Sequence, residues 1–279
     1  GLIVSPDGLN LTSRFHFARE PNAILVTLPD GERLSARRIA TDSSRGLVLL
    51  KVDLPTDHPP LSVPKVASVA SAQPGAWALA VGRTFDPAAV NISVGVISAT
   101  NRIWGKAIQT DAKISPSNYG GALVDIHGRV WGLLVPLSPS RDGKVAGAAW
   151  YDSGIGFAIP YETIRAILPR LARGEDLQSG FLGVSLVHEQ NLFGIVPQIQ
   201  AVHPDSPAAA VGLQQGDRLL AVDRQAVANI AELKYQFKPH LAGDTVEILI
   251  DREGVQLGKK CVLVNEASIA WIQPPAAKK

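Results

Sequence analysis

The chain of 279 residues has no methionine and a single cysteine, Cys261. One cysteine excludes an internal disulfide. The six histidines show no HExxH spacing, and Cys261 has no metal-ligand companion in sequence, so neither a metal nor any other cofactor is expected. Aromatic residues make up only 6% of the chain, and no basic cluster is interleaved with them, which argues against nucleic acid as a partner. Charge of one sign is also missing: 27 basic against 25 acidic residues leave a formal net charge of +2. No apolar run approaches the ~20 residues of a membrane span. With no methionine to start it, and with a first segment, GLIVSPDG, that already reads as strand and turn, the chain is expected to lack an upstream part of its first domain.

What is there reads as two domains, in line with the length. The first half is β structure punctuated by turns. Leu2–Val4 and Leu9–Thr12 flank the Ser5–Gly8 turn; Ala23–Leu28 and Arg33–Ile39 flank Pro29–Gly31. Leu47–Val52, apolar but for Lys51, is expected to be a buried strand. Trp77–Val81, Ile92–Ser98, Ala107–Gln109, Ala122–Ile126 and Val130–Val135 follow at the short spacing of a barrel or sandwich, and Leu137–Ser153 reads as a loop. A helix is expected after Pro160, with Ile164, Ile167, Leu168 and Leu171 on one face and Gly174 as its stop; Pro169 should kink or split it. The second half holds strands at Phe181–Val187, Ile195–Val202 and Asp217–Val222. A short helix is expected at Ser206–Val211, and a longer one capped by Asn229 and running to about His240. Thr245–Ile250 and Val255–Leu263 are expected to pair across a turn, and the tail from Glu266 reads as disordered or as a linker.

The stretch Asp111-Ala-Lys-Ile-Ser-Pro-Ser-Asn-Tyr-Gly-Gly-Ala-Leu123 is a glycine-flanked loop entering an apolar strand. It resembles the nucleophile loop of the HtrA/Deg-type trypsin-like serine proteases, with Tyr119 where that family has serine. The resemblance extends over nearly the whole chain and in order: GLIVSPDGLNLT, DSSRGLVLLKVD, AWALAVG, SVGVISATNR, GIGFAIP at Gly154–Pro160, then FLGVSL, SPAAAVGLQQGDRLLAVD and AGDTVEILIDREG, which look like a PDZ domain. It implies a mostly β chain: a trypsin-like double β-barrel over 1–174, N-terminally incomplete, a linker at 175–180, an α+β PDZ domain over 181–265 and a tail over 266–279.

Carried over residue by residue, the catalytic histidine falls on Phe15, the aspartate on Gly46 and the nucleophile on Tyr119. A phenyl ring accepts no proton, glycine cannot hold an imidazole tautomer, and a phenol is neutral near pH 7 without a base. The expectation is therefore a chain that is not an enzyme, a pseudoprotease; the alternative is an active serine endopeptidase of protein quality control with a non-standard or misaligned triad. His16 is expected to leave the backbone away from Phe15 as a surface or locally bonded histidine. Ser117 is read as a hydroxyl helping its turn, and Asp42 and Asp111 as turn carboxylates bonded to nearby amides. Tyr119 reads either as filler in the cleft or as a ligand contact.

PDZ domains add a peptide strand to a sheet edge and capture its C-terminal carboxylate on backbone amides. Phe181, Leu182, Gly183 and Val184 match the loop that does so. Leu233 and Phe237, four apart on the expected helix, are either groove walls or core residues. The partners this implies are C-terminal peptides or unfolded proteins, with a homo-oligomer, a trimer by resemblance, or a mixed oligomer with active relatives. The resemblance implies an extracytoplasmic location, in periplasm or cell envelope.

Overall fold

The structure, a computed structural model, describes residues 1–83, 89–137, 153–187 and 191–269. The chain divides into two compact units, Gly1–Leu177 and Gln178–Lys279.

The first unit begins with a five-stranded sheet of β1 (Leu2–Ile3), β2 (Leu9–Ser13), β3 (Ile24–Thr27), β4 (Arg33–Asp42) and β5 (Leu47–Val52), ordered β1-β2-β5-β4-β3. β5 lies at the centre and is buried on both faces except at Lys51, which is why its sequence is apolar save for that lysine rather than alternating. A second sheet closes into a barrel. Its strands are β6 (Trp77–Gly82), β7 (Asn91–Asn101), β8 (Ala107–Thr110), β9 (Ala122–Val124), β10 (Val130–Val135) and β11 (Gly156–Pro160), ordered β10-β11-β8-β7-β6-β9. Every position of β11 is buried, so period-2 patterning could not mark it as a strand. Between β7 and β8 the chain makes a left-handed turn: Asn101, Ile103 and Trp104 all have positive φ, at 56°, 51° and 57°. Most of the expected loop Leu137–Ser153 lies outside the described residues.

The helix Tyr161–Ala172 buries Ile164, Ile167 and Leu171 and runs through Pro169 without splitting. Pro169 and Arg165, the residue whose carbonyl loses its donor, are both exposed, so water can take that carbonyl. Beyond Gly174 the chain returns to the sheet. Leu177 donates to the Thr41 carbonyl at 2.8 Å and accepts from the Ser43 amide at 2.9 Å. Residues 175–177 of the expected linker thus belong to this unit, and Gly180 opens the first strand of the next.

The second unit contains β12 (Gly180–Phe181), β13 (Val184–Leu186), β14 (Ile199–Val202), β15 (Arg218–Val222), β16 (Gln225–Ala226), β17 (Thr245–Arg252), β18 (Val255–Val262) and β19 (Val264–Asn265). β12 pairs β19, β13 pairs β14, and β16-β15-β17-β18 form a sheet. The expected strand 181–187 breaks at Gly183, where φ is +89°. The expected strand 195–202 is shorter because Pro197 offers no ladder donor. Ser206 caps the helix Pro207–Ala210, its Oγ accepting from the Ala209 amide. The helix Ile230–Phe237 has a reciprocal cap: Asn229 Oδ1 accepts from the Glu232 amide at 2.9 Å, and Glu232 Oε2 accepts from the Ala228 amide at 2.7 Å. It ends before the expected His240: Lys238 still has helical φ and ψ and donates to the Lys234 carbonyl, but Pro239 has no amide with which to continue the ladder. Leu182, Leu186, Ile199, Leu219, Ile230 and Leu233 are among the core residues. The tail from Glu266, expected to be disordered or a linker, starts with a 3-10 turn at Glu266–Ser268, capped by the Asn265 side chain; residues 270–279 lie outside the described residues.

Asp217, 1% exposed, is held by Arg252, whose Nε and Nη2 donate to its two carboxylate oxygens at 2.7 and 2.8 Å. Burial pushes the carboxyl up, but the Arg252 hydrogen bonds, the Gln214 amide and the charges of Arg252 and Lys259 outweigh it, leaving Asp217 below its ordinary value. A carboxyl lowered by folding contributes stability above its unfolded value, near ~3.9, and loses it as pH falls through the folded value. Arg252→Met is expected to lower stability near neutral pH, because it leaves the buried Asp217 carboxylate without its cation. That deficit should narrow below about pH 4. Thermal melts of both proteins across pH check this; a deficit unchanged at low pH would contradict it.

Candidate functional site

The loop 115–121 is fixed by backbone bonds. Asn118 donates to the Ser115 carbonyl at 2.9 Å, Gly121 to that of Asn118 at 2.9 Å, and Gly120 to that of Leu134 at 2.8 Å. A Cβ on Gly121 would fall 1.9 Å from the Val81 carbonyl oxygen, and one on Gly82 would fall 2.3 Å from that of Ser117. The loop and β6 therefore touch backbone to backbone, which explains glycine at both positions.

Tyr119 is 7% exposed and packs into the barrel core. Its ring meets that of Phe15 edge-on, centroids 5.1 Å apart. Phe15 and His16 sit on a 3-10 turn, Arg14–Phe17, so their side chains do not alternate as they would on a strand. His16 is exposed, as the surface reading expects, and its one described hydrogen bond is not local: Nε2 lies 2.8 Å from the Tyr119 carbonyl oxygen. The Gly46 carbonyl accepts the Arg14 amide at 2.8 Å. Positions 15, 46 and 119 thus gather around the segment Arg14–His16.

Asp42 is fully buried and accepts from the amide and the guanidinium of Arg45 at 3.1 and 3.0 Å. Asp111 accepts from the Val96 amide at 2.6 Å. Ser117 Oγ lies 2.7 Å from Ser115 Oγ and accepts from Asn91 Nδ2 at 3.0 Å. One pair escaped sequence reasoning: Lys106, 5% exposed, donates from Nζ to Ser44 Oγ at 2.6 Å and to the Ser44 carbonyl at 3.0 Å. Sixty-two residues separate the two, and no motif links them. Cys261 is buried and its thiol is pushed up to about 11 by burial, with the Asp223 charge adding to the shift, so it is protonated near neutral pH. Among the described residues no three His, Cys, Asp or Glu side chains converge as a metal site would require.

In the second unit, Gly183 fits because a Cβ there would lie 2.1 Å from that of Ser206. The Gly183 carbonyl accepts the His203 amide at 2.8 Å, and the Leu182 carbonyl accepts the Ala208 amide at 3.0 Å, so helix 207–210 braces the FLGV loop. Phe181 is half-buried, its ring 6.1 Å from that of His203, and Leu182 is in the core. Val184 opens β13, which pairs with β14 along one side. Leu233 is a core residue; Phe237 is half-buried against the same core.

Residues 1–133 match the trypsin-like peptidase domain and residues 180–259 the PDZ domain. The serine endoprotease DegS of Escherichia coli K12 is 30% identical over 276 residues, covering 92% of this chain and 74% of DegS. A probable periplasmic serine endoprotease, DegP-like, of Chlamydia trachomatis is 31% identical over 268 residues, covering 91% of this chain. The chain spans about half the length of that relative, 51%. Among solved structures, the HtrA-type protease AlgW with a decapeptide superposes with a TM-score of 0.72 at 28% identity, over 94% of this chain and 81% of AlgW. The serine endoprotease from Yersinia pestis gives 0.68 at 28% identity, over 95% of this chain and 87% of that one. These names correct the expectation that the chain is not an enzyme. Phe15, Gly46 and Tyr119 say which groups stand at three counted positions, and that does not exclude chemistry carried by other groups. The chain belongs to the HtrA family, homologous to the DegS and DegP proteases, with a trypsin-like peptidase domain followed by a PDZ domain.

Proposed function

We propose that the chain works in extracytoplasmic protein quality control by capturing the free C-termini of peptides or unfolded proteins on its PDZ domain. The observation that carries this reading is the FLGV loop: Gly183 at φ +89°, pressed on Ser206, turns the chain tightly ahead of β13. Such a turn aims successive amides at one point, as carboxylate capture needs. The peptide-bound HtrA-type structure supports it, as do relatives named periplasmic. No helix among the described residues is long and apolar enough to cross a membrane. In this reading Phe181, Leu182, Gly183 and Val184 form the capture loop, and Phe237 with the edge of Leu233 lines the groove. Free-carboxylate peptides are expected to bind, and the same peptides amidated are expected to bind at least tenfold more weakly, by ~1.4 kcal/mol or more. Gly183→Ala should abolish the difference. Titration by fluorescence polarisation checks both; equal affinity for acid and amide would contradict carboxylate capture.

A second reading, a serine endopeptidase, is favoured by the names of the relatives. With Phe15, Gly46 and Tyr119 at the counted triad positions, its nucleophile and base come from elsewhere, and Ser44 on Lys106 is the described hydroxyl with a buried amine in reach. Under this reading a fluorophosphonate probe labels the chain, and Ser44→Ala removes the label. A chain that neither takes up the probe nor cleaves unfolded casein would contradict it.

Association with further copies of the chain, as a trimer by resemblance, is supported by the outer face of the barrel. Cross-strand pairs place Trp77 by Val96, Leu79 by Val94 and Val81 by Ile92 on one face, with Ala78 and Ala80 turned inward. Trp77 is 61% and Val94 59% exposed, an apolar surface of the kind that copies bury. Trp77→Glu is expected to shift the protein to monomer in sedimentation velocity; an unchanged mass would contradict this.

A further inference from the structure

The PDZ unit fixes the direction of its own groove. The Gly180 amide, just before the FLGV loop, donates at 3.0 Å to the carbonyl of His240, just past the C-terminal end of helix Ile230–Phe237. At the other end of that helix, the Ala231 amide donates at 2.9 Å to the carbonyl of Leu192. The C-terminal end of the helix therefore sits at the capture loop, and its N-terminal end sits at residues 191–194. A peptide whose carboxylate rests on the FLGV loop and that adds along β13 runs upstream toward residues 191–194.

The distance sets which peptide residue arrives there. The helix has eight residues, about 12 Å at ~1.5 Å per residue. An extended peptide advances ~3.3 Å per residue, so roughly the fourth or fifth residue from its end meets residues 191–194. There the two neighbours part. Leu192 packs on the core, whereas Phe193 is 77% exposed. Asn191 Oδ1 accepts the Gly194 amide at 3.1 Å and closes the turn that carries the ring. A single exposed apolar side chain is ordinary on a protein surface. Phe193 directly follows Leu192, whose carbonyl the Ala231 amide holds, so the backbone that carries its ring lies at the N-terminal end of the helix.

We propose that Phe193 is a specificity-determining residue that selects ligands with an apolar or aromatic side chain at the fourth or fifth position from the C-terminus. This rests on the peptide-capture reading above. The ring adds contact area to a peptide already anchored by its carboxylate, and a contact of this kind is worth about three- to tenfold in affinity. Because Phe193 packs on nothing in the core, Phe193→Ser leaves the fold intact, which a thermal melt verifies.

The test uses the full chain and an immobilised library of free-carboxylate octapeptides randomised at all eight positions, with an amidated copy of the library as reference. The parent protein should enrich apolar and aromatic residues at the fourth or fifth position from the end. Phe193→Ser should lose that enrichment while keeping the preferences at the last three positions. No upstream enrichment in the parent, or the same enrichment in the variant, overturns the role of Phe193 while leaving C-terminal capture standing. A parent that treats the acid and amide libraries alike overturns capture itself, and the role of Phe193 with it.

Discussion

In each unit the loop that matters lies so close to a neighbouring segment that a Cβ has no room. Gly121 presses on the carbonyl of Val81 and Gly82 on that of Ser117, so the loop bearing Tyr119 is clamped to β6 by backbone alone. In the PDZ unit Gly183 presses on Ser206, which also caps the short helix behind it. Contacts of this kind tolerate no larger residue, because the obstacles at Gly121 and Gly82 are backbone atoms and the one at Gly183 is a buried capping side chain. The positions of the two loops, and of everything that approaches them, follow from these glycines.

The clamp shapes the barrel around it. Strand β6 offers Ala78 and Ala80 to the interior, since larger side chains would push β6 away from the loop, and its bulk goes outward as Trp77, Leu79 and Val81. A strand with its small residues inside and its large ones outside leaves apolar area on the surface, which association with other copies would remove from water at ~25 cal/mol per Å². The same clamp sets the cleft. Tyr119 can only turn its ring into the barrel core and against Phe15, and its carbonyl is left for His16.

Much of this was legible in the letters. Most strands of the first unit follow from alternation and from turn residues, and Leu47–Val52 from a run that is apolar but for Lys51; Gly156–Pro160, buried at every position, does not. The Asn229 cap marked the start of the helix Ile230–Phe237. Other features were not legible, for identifiable reasons. Pro169 reads as a breaker, but its exposed place in the last turn makes it harmless. His16 reads as pointing away from Phe15 only if the segment is a strand, and it is a 3-10 turn. Ser44 and Lys106 meet across 62 residues with no motif between them, so only the fold brings them together. The three counted positions suggested a chain without enzymatic activity; relatives named serine endoproteases over nine-tenths of its length overturned that, because residue identities at a few positions do not define a family's chemistry.

In the proposed binding mode a peptide's free C-terminus seats at the FLGV loop and its upstream residues lie along β13. Hydrogen–deuterium exchange on the full chain, with and without a saturating pool of free-carboxylate octapeptides, addresses it directly. A strand added to β13 must slow exchange at amides of residues 182–187, and an amidated pool must leave them unchanged. Protection confined to the β18 edge, or none anywhere in the PDZ unit, would contradict the account.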